Sequence, residues 1–253
     1  KDINNYYIDN LIKEDNNLIL NNYQRFITNF INPNTKYDKL LLVHSTGVGK
    51  TITSLSVAIN FINIFKENKL INKNENTGMI YIIGFTKNVF KKELLSRPEF
   101  GIVNKNEIEQ MTNIKNNISK YNLEKDIQLL KDLKIKYSQR LKSKRGNGYF
   151  EFIGYKELVN KLLIKNNIND KLQLSDIKDE QELEYFLTKN IVKLNVQFLE
   201  LFTNSLIICD EIHNVYNSLN INNWGMCLRI IFKYHDKQKS LRVLFLSATP
   251  INN

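Results

Sequence analysis

Apolar positions along the chain keep two rhythms. From about Asn4 to Ile31 the residues Leu11, Ile12, Leu18, Ile19, Leu20, Tyr23, Phe26, Ile27 and Phe30 recur near a helical period, and Pro33 closes the segment. Lys39–Val43 (KLLLV) is a short apolar run bounded by turn residues, which predicts a strand buried on both faces. A helix follows, with Ile52, Leu55, Ala58, Ile59, Ile62 and Ile64 as its apolar positions. Met79–Phe85 (MIYIIGF) predicts a second buried strand, and Asn88–Leu95 a helix stopped near Pro98. Tyr149–Ile153 alternates as a strand does. Helices are predicted over Tyr155–Ile164, Glu180–Phe202 and Trp224–Tyr234. Leu206–Cys209 and Arg242–Leu246 read as the last strands.

Between Val103 and Lys144 the texture changes. The stretch is rich in Lys, Asn and Glu, and Ile127, Leu130, Leu133 and Tyr137 fall at helical spacing. It predicts a polar helical insertion over about 103–148, ending in the charged loop Lys142–Gly148. Buried strands alternating with helices predict an α/β domain with a mainly parallel sheet. In such sheets ligands sit beyond the carboxyl ends of the strands.

Composition narrows the classes. With 253 residues and 42% hydrophobic content the chain can bury a sizeable core, which excludes a disordered polymer. No apolar run reaches the roughly 18 residues that span a bilayer, so no membrane partner is expected. Two cysteines, Cys209 and Cys227, exclude a disulfide scaffold and point to a reducing, cytoplasmic setting. They cannot make a zinc site without further ligands. The net charge of +10 admits two readings. One is a nucleic-acid partner whose phosphates the lysines neutralise. The other is A/T-rich coding, since Asn, Ile and Lys abound while alanine occurs only at Ala58 and Ala248.

Three constellations follow strands. In the first, Leu41-Leu42-Val43 runs into His44-Ser45-Thr46-Gly47-Val48-Gly49-Lys50-Thr51 and then into a helix. Loop N–H groups at a helix N-terminus cradle phosphate. Lys50 would pair with the β/γ-phosphates and the Thr51 hydroxyl would ligate Mg²⁺. His44 stands where G-x-x-x-x-G-K-[ST] has its first glycine. The second is Cys209-Asp210-Glu211-Ile212-His213. Adjacent carboxylates at a strand end repel unless a cation or solvent meets them. A nucleotide-bound Mg²⁺ supplies the cation, with Asp210 on the metal and Glu211 as base toward the attacking water. The third is Leu246-Ser247-Ala248-Thr249-Pro250, whose hydroxyls can reach the Asp210–Glu211 loop if the strands are neighbours.

In that order the three resemble motifs I, II and III of superfamily 2 helicases and translocases. Tyr23-Gln24 is similar to the adenine-reading glutamine of that superfamily. Gly84-Phe85-Thr86-Lys87-Asn88 and Phe152-Ile153-Gly154-Tyr155 sit where motifs Ia and Ib would. His-Ser-Thr-Gly-Val-Gly-Lys-Thr, Asp-Glu-Ile-His-Asn and Leu-Ser-Ala-Thr-Pro-Ile-x-Asn resemble the poxvirus-type nucleoside triphosphatases, among them nucleoside triphosphate phosphohydrolase I and the helicase-like small subunit of the early transcription factor.

The resemblance implies a RecA-like P-loop lobe over residues 37–253, preceded by a helical segment, 1–36, that carries the adenine-side motif. It implies ATP and Mg²⁺, with ATP held by Gln24, Ser45, Thr46, Gly47, Val48, Gly49, Lys50 and Thr51. Metal would fall to Thr51 and Asp210, catalysis to Glu211, Lys50 and Asp210, and coupling to His213, Ser247 and Thr249. Thr86, Lys87 and Tyr155 would touch nucleic acid, DNA rather than RNA. A second RecA-like lobe in the same longer chain would complete the enzyme, and RNA polymerase or transcription factors are further partners. Two other functions stay open: a module that docks on a transcription complex, and the motor subunit of a restriction-type complex.

Other residues carry plainer expectations. Cys209 reads as a small buried apolar residue, Trp224 as a core anchor and His235 as a surface histidine. The Lys142–Arg145 loop is read equally as a nucleic-acid contact and as a solvated charge run.

Overall fold

A computed structural model of the chain describes residues 18–44, 47, 49–71, 78–121, 123–142, 148–166, 174, 177, 179–217, 220–221, 223–236 and 240–249. Of the predicted N-terminal helix, the described part is α1, Asn22–Phe30. It starts where Asn21 makes a capping box: the Asn21 side chain accepts from the Gln24 N–H at 2.8 Å, and Gln24 Oε1 accepts from the Asn21 N–H at 3.1 Å. The residues before Leu18, and the loop 143–147, lie outside the described residues.

Five strands form one parallel sheet. They are β1 (Lys39–Val43), β2 (Ile80–Ile83), β3 (Phe150–Ile153), β6 (Leu206–Cys209) and β9 (Arg242–Ser247), in spatial order β1-β9-β6-β2-β3. Helices connect them: α2 (Lys50–Ile71) and α3 (Lys87–Ser96) flank β2, and α6 (Tyr155–Leu162) and α9 (Asn223–Asp236) come later. β6, β2 and β3 end level at Cys209, Ile83 and Ile153, and β9 and β1 run two residues further, to Ser247 and Val43. Every loop that leaves a strand end therefore opens on one edge. This is the RecA-like α/β arrangement that the motif order implies.

Alternation along each strand splits the core in two. Ile80, Ile82, Phe150, Phe152, Leu206, Ile208, Leu244 and Leu246 face α1, α2 and α3. Tyr81, Ile83, Ile153, Ile207, Cys209 and Val243 face α6, α9 and Phe202. β1 departs from the expected burial on both faces. Leu42 is buried, but Leu41 and Val43 are 44% and 40% exposed. Among the described strands β1 has only β9 beside it, so one of its faces lacks the cover that the inner strands enjoy.

The polar stretch is helical as expected. It is a hairpin of α4 (Lys105–Tyr121) and α5 (Glu124–Gln139), after a short 3-10 turn at Pro98–Phe100. Glu180–Phe202 is not one helix. It divides into α7 (Glu180–Thr188), β5 (Val192–Leu194) and α8 (Val196–Glu200). β5 pairs antiparallel with β4 (Leu163–Lys165), which also shortens the helix predicted to run to Ile164. Asn190, in the left-handed region at φ 57°, turns the chain, and the Asn195 side chain caps α8 through the Phe198 N–H at 3.1 Å. Apolar spacing alone cannot see those two asparagines acting. A second small antiparallel pair, β7 (Tyr216–Asn217) with β8 (Asn220–Ile221), follows β6.

Candidate active site

The loop after β1 is shaped by two glycines. Gly47 and Gly49 hold φ of 86° and 87°, a region that costs other residues strain. A Cβ on Gly49 would also stand 2.8 Å from Gln24 Nε2. The glutamine expected to read adenine thus lies against the end of the phosphate loop, with its amide set by the Asn21 capping box. Sequence reasoning missed Asn21, although the Asn-x-x-Gln spacing is the signal for such a cap. Lys50 opens α2, and its ammonium donates to the His44 carbonyl at 2.9 Å, across the mouth of the loop. Thr51 is the next residue of that helix. Ser45, Thr46 and Val48 lie outside the described residues.

His44 does more than replace a glycine. Its N–H donates to the Ser247 carbonyl at 3.0 Å, which ties β1 to β9, and its ring packs on Tyr23 with centroids 4.5 Å apart. Burial and the Lys50 charge hold its pKa below the ordinary imidazole value.

Asp210 follows β6 and is 6% exposed. Its carboxyl is pushed up to about 6, first by burial and then by the Glu211 charge, against the opposing pull of the Glu211 backbone hydrogen bond and of Lys50. Thr86 Oγ1 donates to Asp210 Oδ2, and the Tyr155 hydroxyl donates to the Asp210 carbonyl at 2.7 Å. Gly84 makes this crowding possible, because a Cβ there would meet Asp210 Cβ at 2.9 Å. Thr86 and Tyr155 were expected on nucleic acid. In the structure both hydroxyls meet Asp210, and Tyr155 is 1% exposed. Buried carbonyl and carboxylate oxygens are normally hydrogen-bonded, and these hydroxyls serve two of them. Lys87 stays partly exposed, paired at 3.4 Å with Glu157.

Glu211 is held in the left-handed region at φ 53°, and its carboxylate lies against His213. His213 Nδ1 lies 3.1 Å from Ser247 Oγ and 3.3 Å from Glu211 Oε2. The Ser247 hydroxyl donates to the Thr249 carbonyl. Its one proton is thereby used, so it accepts from His213, and the Glu211 carboxylate can only accept. Both contacts require the proton on Nδ1 of His213. Sequence reasoning placed His213, Ser247 and Thr249 together on motif order, and they do meet. Cys209 is fully buried as expected, with its thiol pKa raised by burial. His235 is a correction. It is 1% exposed, and its Nε2 lies 2.9 Å from the Leu199 carbonyl, because the apolar face of α9 turns inward at that position.

A divalent cation fits this donor set. Asp210 is a buried carboxylate at the end of β6, and Thr51, in the first turn of α2, follows β1, which lies one strand beyond β9 on the same edge. An anionic phosphate fits the left-handed turn of Gly47–Gly49, the Lys50 amine and the start of α2.

Comparison with known proteins bears on the same residues. The family described as "Type III restriction enzyme, res subunit" (ResIII) matches residues 17–252. An early transcription factor large subunit homolog of African swine fever virus (isolate Tick/Malawi/Lil 20-1/1983) is 32% identical over 92% of this chain and 23% of its own length. The protein of the same name from strain Badajoz 1971 Vero-adapted is 31% identical over 92% of this chain and 22% of its own. A helicase-named protein of Invertebrate iridescent virus 3 is 26% identical over 91% of this chain and 18% of its own length. The chain thus spans less than a quarter of each of these relatives. The first two carry the large-subunit name, where the motif resemblance had pointed to the small subunit.

Proposed function

We infer the function from one premise: the chain belongs to the ResIII family, a family of helicase-type P-loop domains. It is a nucleotide-binding helicase-family lobe with viral relatives. Beyond that, we propose that it is the ATP-binding lobe of a nucleic-acid-dependent NTPase linked to transcription. The observation that carries the reading is the convergence on one sheet edge of Lys50, Asp210 and Glu211, which leave two different strands.

Each residue then has a task. The N–H groups from Ser45 to Gly49, with those of Lys50 and Thr51, hold the phosphates, and the Lys50 amine leaves the His44 carbonyl for the β/γ oxygens. The Gln24 amide, fixed by Asn21, reads the adenine edge. Thr51 and Asp210 would hold Mg²⁺, which when bound neutralises charge on the phosphate oxygens. Glu211 orients the attacking water and takes its proton. His213, Ser247 and Thr249 pass the state of Glu211 to β9.

The wider partners belong to the same proposal. Nucleic acid, DNA in preference to RNA, would cross the carboxyl edge. A second RecA-like lobe elsewhere in the protein would supply the arginine that stabilises the transferring phosphoryl group, so the isolated lobe would turn over slowly. Residues 1–36 act as the adenine-side segment and 37–253 as the lobe. The relatives' transcription-factor name favours a polymerase-associated role in a host cytoplasm or virion. The test is Lys50→Ala in the full-length protein. Nucleotide hydrolysis stimulated by single-stranded nucleic acid should fall by on the order of 100-fold or more. Retained stimulated hydrolysis sinks the assignment.

A further inference from the structure

The capping box at the start of α1 fixes which end of a buried amide faces the phosphate loop. Gln24 is 8% exposed. The Asn21 N–H donates to Gln24 Oε1 at 3.1 Å, and the Gln24 N–H donates to Asn21 Oδ1 at 2.8 Å. A backbone N–H is met by the oxygen of an amide and never by its NH₂, so the oxygen is the end at Asn21. The Nε2 group is the end against the loop, 2.8 Å from where a Cβ on Gly49 would stand. Among the described residues Nε2 meets no acceptor. A buried amide donor without a partner is costly, and this one is aimed at the place a nucleotide would occupy.

The half of the amide on offer decides what it reads. Along its N7 edge adenine shows the N7 acceptor and the N6 amine donor, whereas guanine shows two acceptors, N7 and O6. A glutamine with both ends free pairs with N7 and N6 together and so selects adenine. Here the oxygen that would receive the N6 amine is engaged by Asn21. The donor that remains suits N7, which both purines carry and pyrimidines lack. The second hydrogen of the same NH₂ group suits O6 of guanine.

We propose that Asn21 sets the base specificity of the site: by holding the Gln24 oxygen it leaves a donor-only reader of purine N7, so the site takes ATP and GTP alike and disfavours pyrimidine nucleotides. The proposal rests on the nucleotide-binding reading above and deepens it. Asn21 acts through Gln24 and is a positioning residue. Its backbone allows a direct test. Asn21 sits at φ −70°, a value that proline holds, and Leu20 before it lies outside any helix. Proline there deletes the N–H that engages Gln24 and frees the amide oxygen for the N6 amine. It also removes the side-chain cap, which lowers stability.

The experiment uses the full-length protein and displacement of a ribose-labelled ATP by ATP, GTP, UTP and 7-deaza-ATP, in which a C–H replaces N7. In the unmodified protein ATP and GTP should compete within about threefold of each other, and UTP and 7-deaza-ATP about tenfold more weakly than ATP. Gln24→Ala should bind ATP and 7-deaza-ATP equally. Asn21→Pro should keep the preference for ATP over 7-deaza-ATP, which shows that it is folded, and gain a preference for ATP over GTP of about tenfold. Loss of a purely structural cap does not create such a gain. In the unmodified protein, a preference for ATP over GTP of about tenfold or more overturns the proposal. So does equal binding of ATP and 7-deaza-ATP, or of ATP and UTP, or an N7 preference that survives in Gln24→Ala. A folded Asn21→Pro protein without the gain overturns the role of Asn21. If that variant does not fold, the ratios in the unmodified protein and in Gln24→Ala still decide the donor-only reading. An unmodified protein that binds no nucleotide overturns the proposal and the nucleotide-binding reading together.

Discussion

At the carboxyl edge of the sheet, Asp210 and Ser247 are buried and each makes several polar contacts. Along the α4–α5 hairpin, only Met111, Ile114 and Tyr137 of the two helices are buried. Both regions are polar in sequence, yet they spend that polarity in opposite ways. At the edge, polar groups face one another from separate strands, and the cost of desolvation appears as the raised Asp210 pKa. On the hairpin, charges face water, and the pair that matters is a staple. Arg140 grips Glu107 with two hydrogen bonds of 2.7 and 2.9 Å, donates to the Ile102 carbonyl and lies over the Tyr137 ring. That grip, the Arg140 hydrogen bond first, holds the Glu107 carboxyl below its ordinary range. Buried polarity of the first kind is where chemistry is expected. Exposed polarity of the second kind keeps a helix pair soluble and in place.

The sharpest way to break this contrast is Glu211→Gln. The amide keeps the size and the left-handed backbone of Glu211 but loses the base. Hydrolysis should fall by about 10²–10⁴-fold while nucleotide affinity is retained. Near-normal turnover would place the chemistry elsewhere.

Asp210→Asn probes the desolvation cost directly. Folding favours the protonated Asp210, so its favourable contribution is complete below the ordinary value of 3.8 and is lost as pH rises through about 6. The variant should therefore be more stable than the unmodified protein at pH 8 in the absence of nucleotide, by on the order of 2 kcal/mol. The gap should close near pH 4. Denaturation midpoints across that range measure it, and a variant that is less stable at pH 8 would show that charge on Asp210 is well compensated.

The smallest effect is expected on the hairpin. Arg140→Ala removes a partly exposed pair, and should cost about 1 kcal/mol or less of global stability. Amide exchange over 105–139 should quicken, with hydrolysis unchanged. A variant with impaired hydrolysis would give the hairpin a share in the site.

Much of the site was legible because its signals are local. Gly47, Gly49 and Lys50 must lie together for the loop to turn and the helix to start. The apolar runs at β2 and β6 are continuous because both faces are covered, whereas β1 carries a similar run on an outer strand and keeps one face exposed. A run of apolar residues reports strand, but its place in the sheet decides burial. The α7–β5–α8 break escaped for a different reason. Asn190 and Asn195 interrupt a helical period through backbone conformation and capping, neither of which apolar spacing records.

The amino-acid sequence by itself determined the phosphate loop, the Asp210–Glu211 pair, the order of motifs and the α/β alternation, since each depends on neighbours within a few residues. Only the tertiary structure decided that Thr86 and Tyr155 spend their hydroxyls on Asp210, that Trp224 props Phe85, and that His235 is buried. Those contacts join segments up to 139 residues apart. They exist because the sheet order sets β6 beside β2, with β3 next, and aligns their ends. That order comes from packing two faces of one sheet, a property of the whole chain and of no single segment.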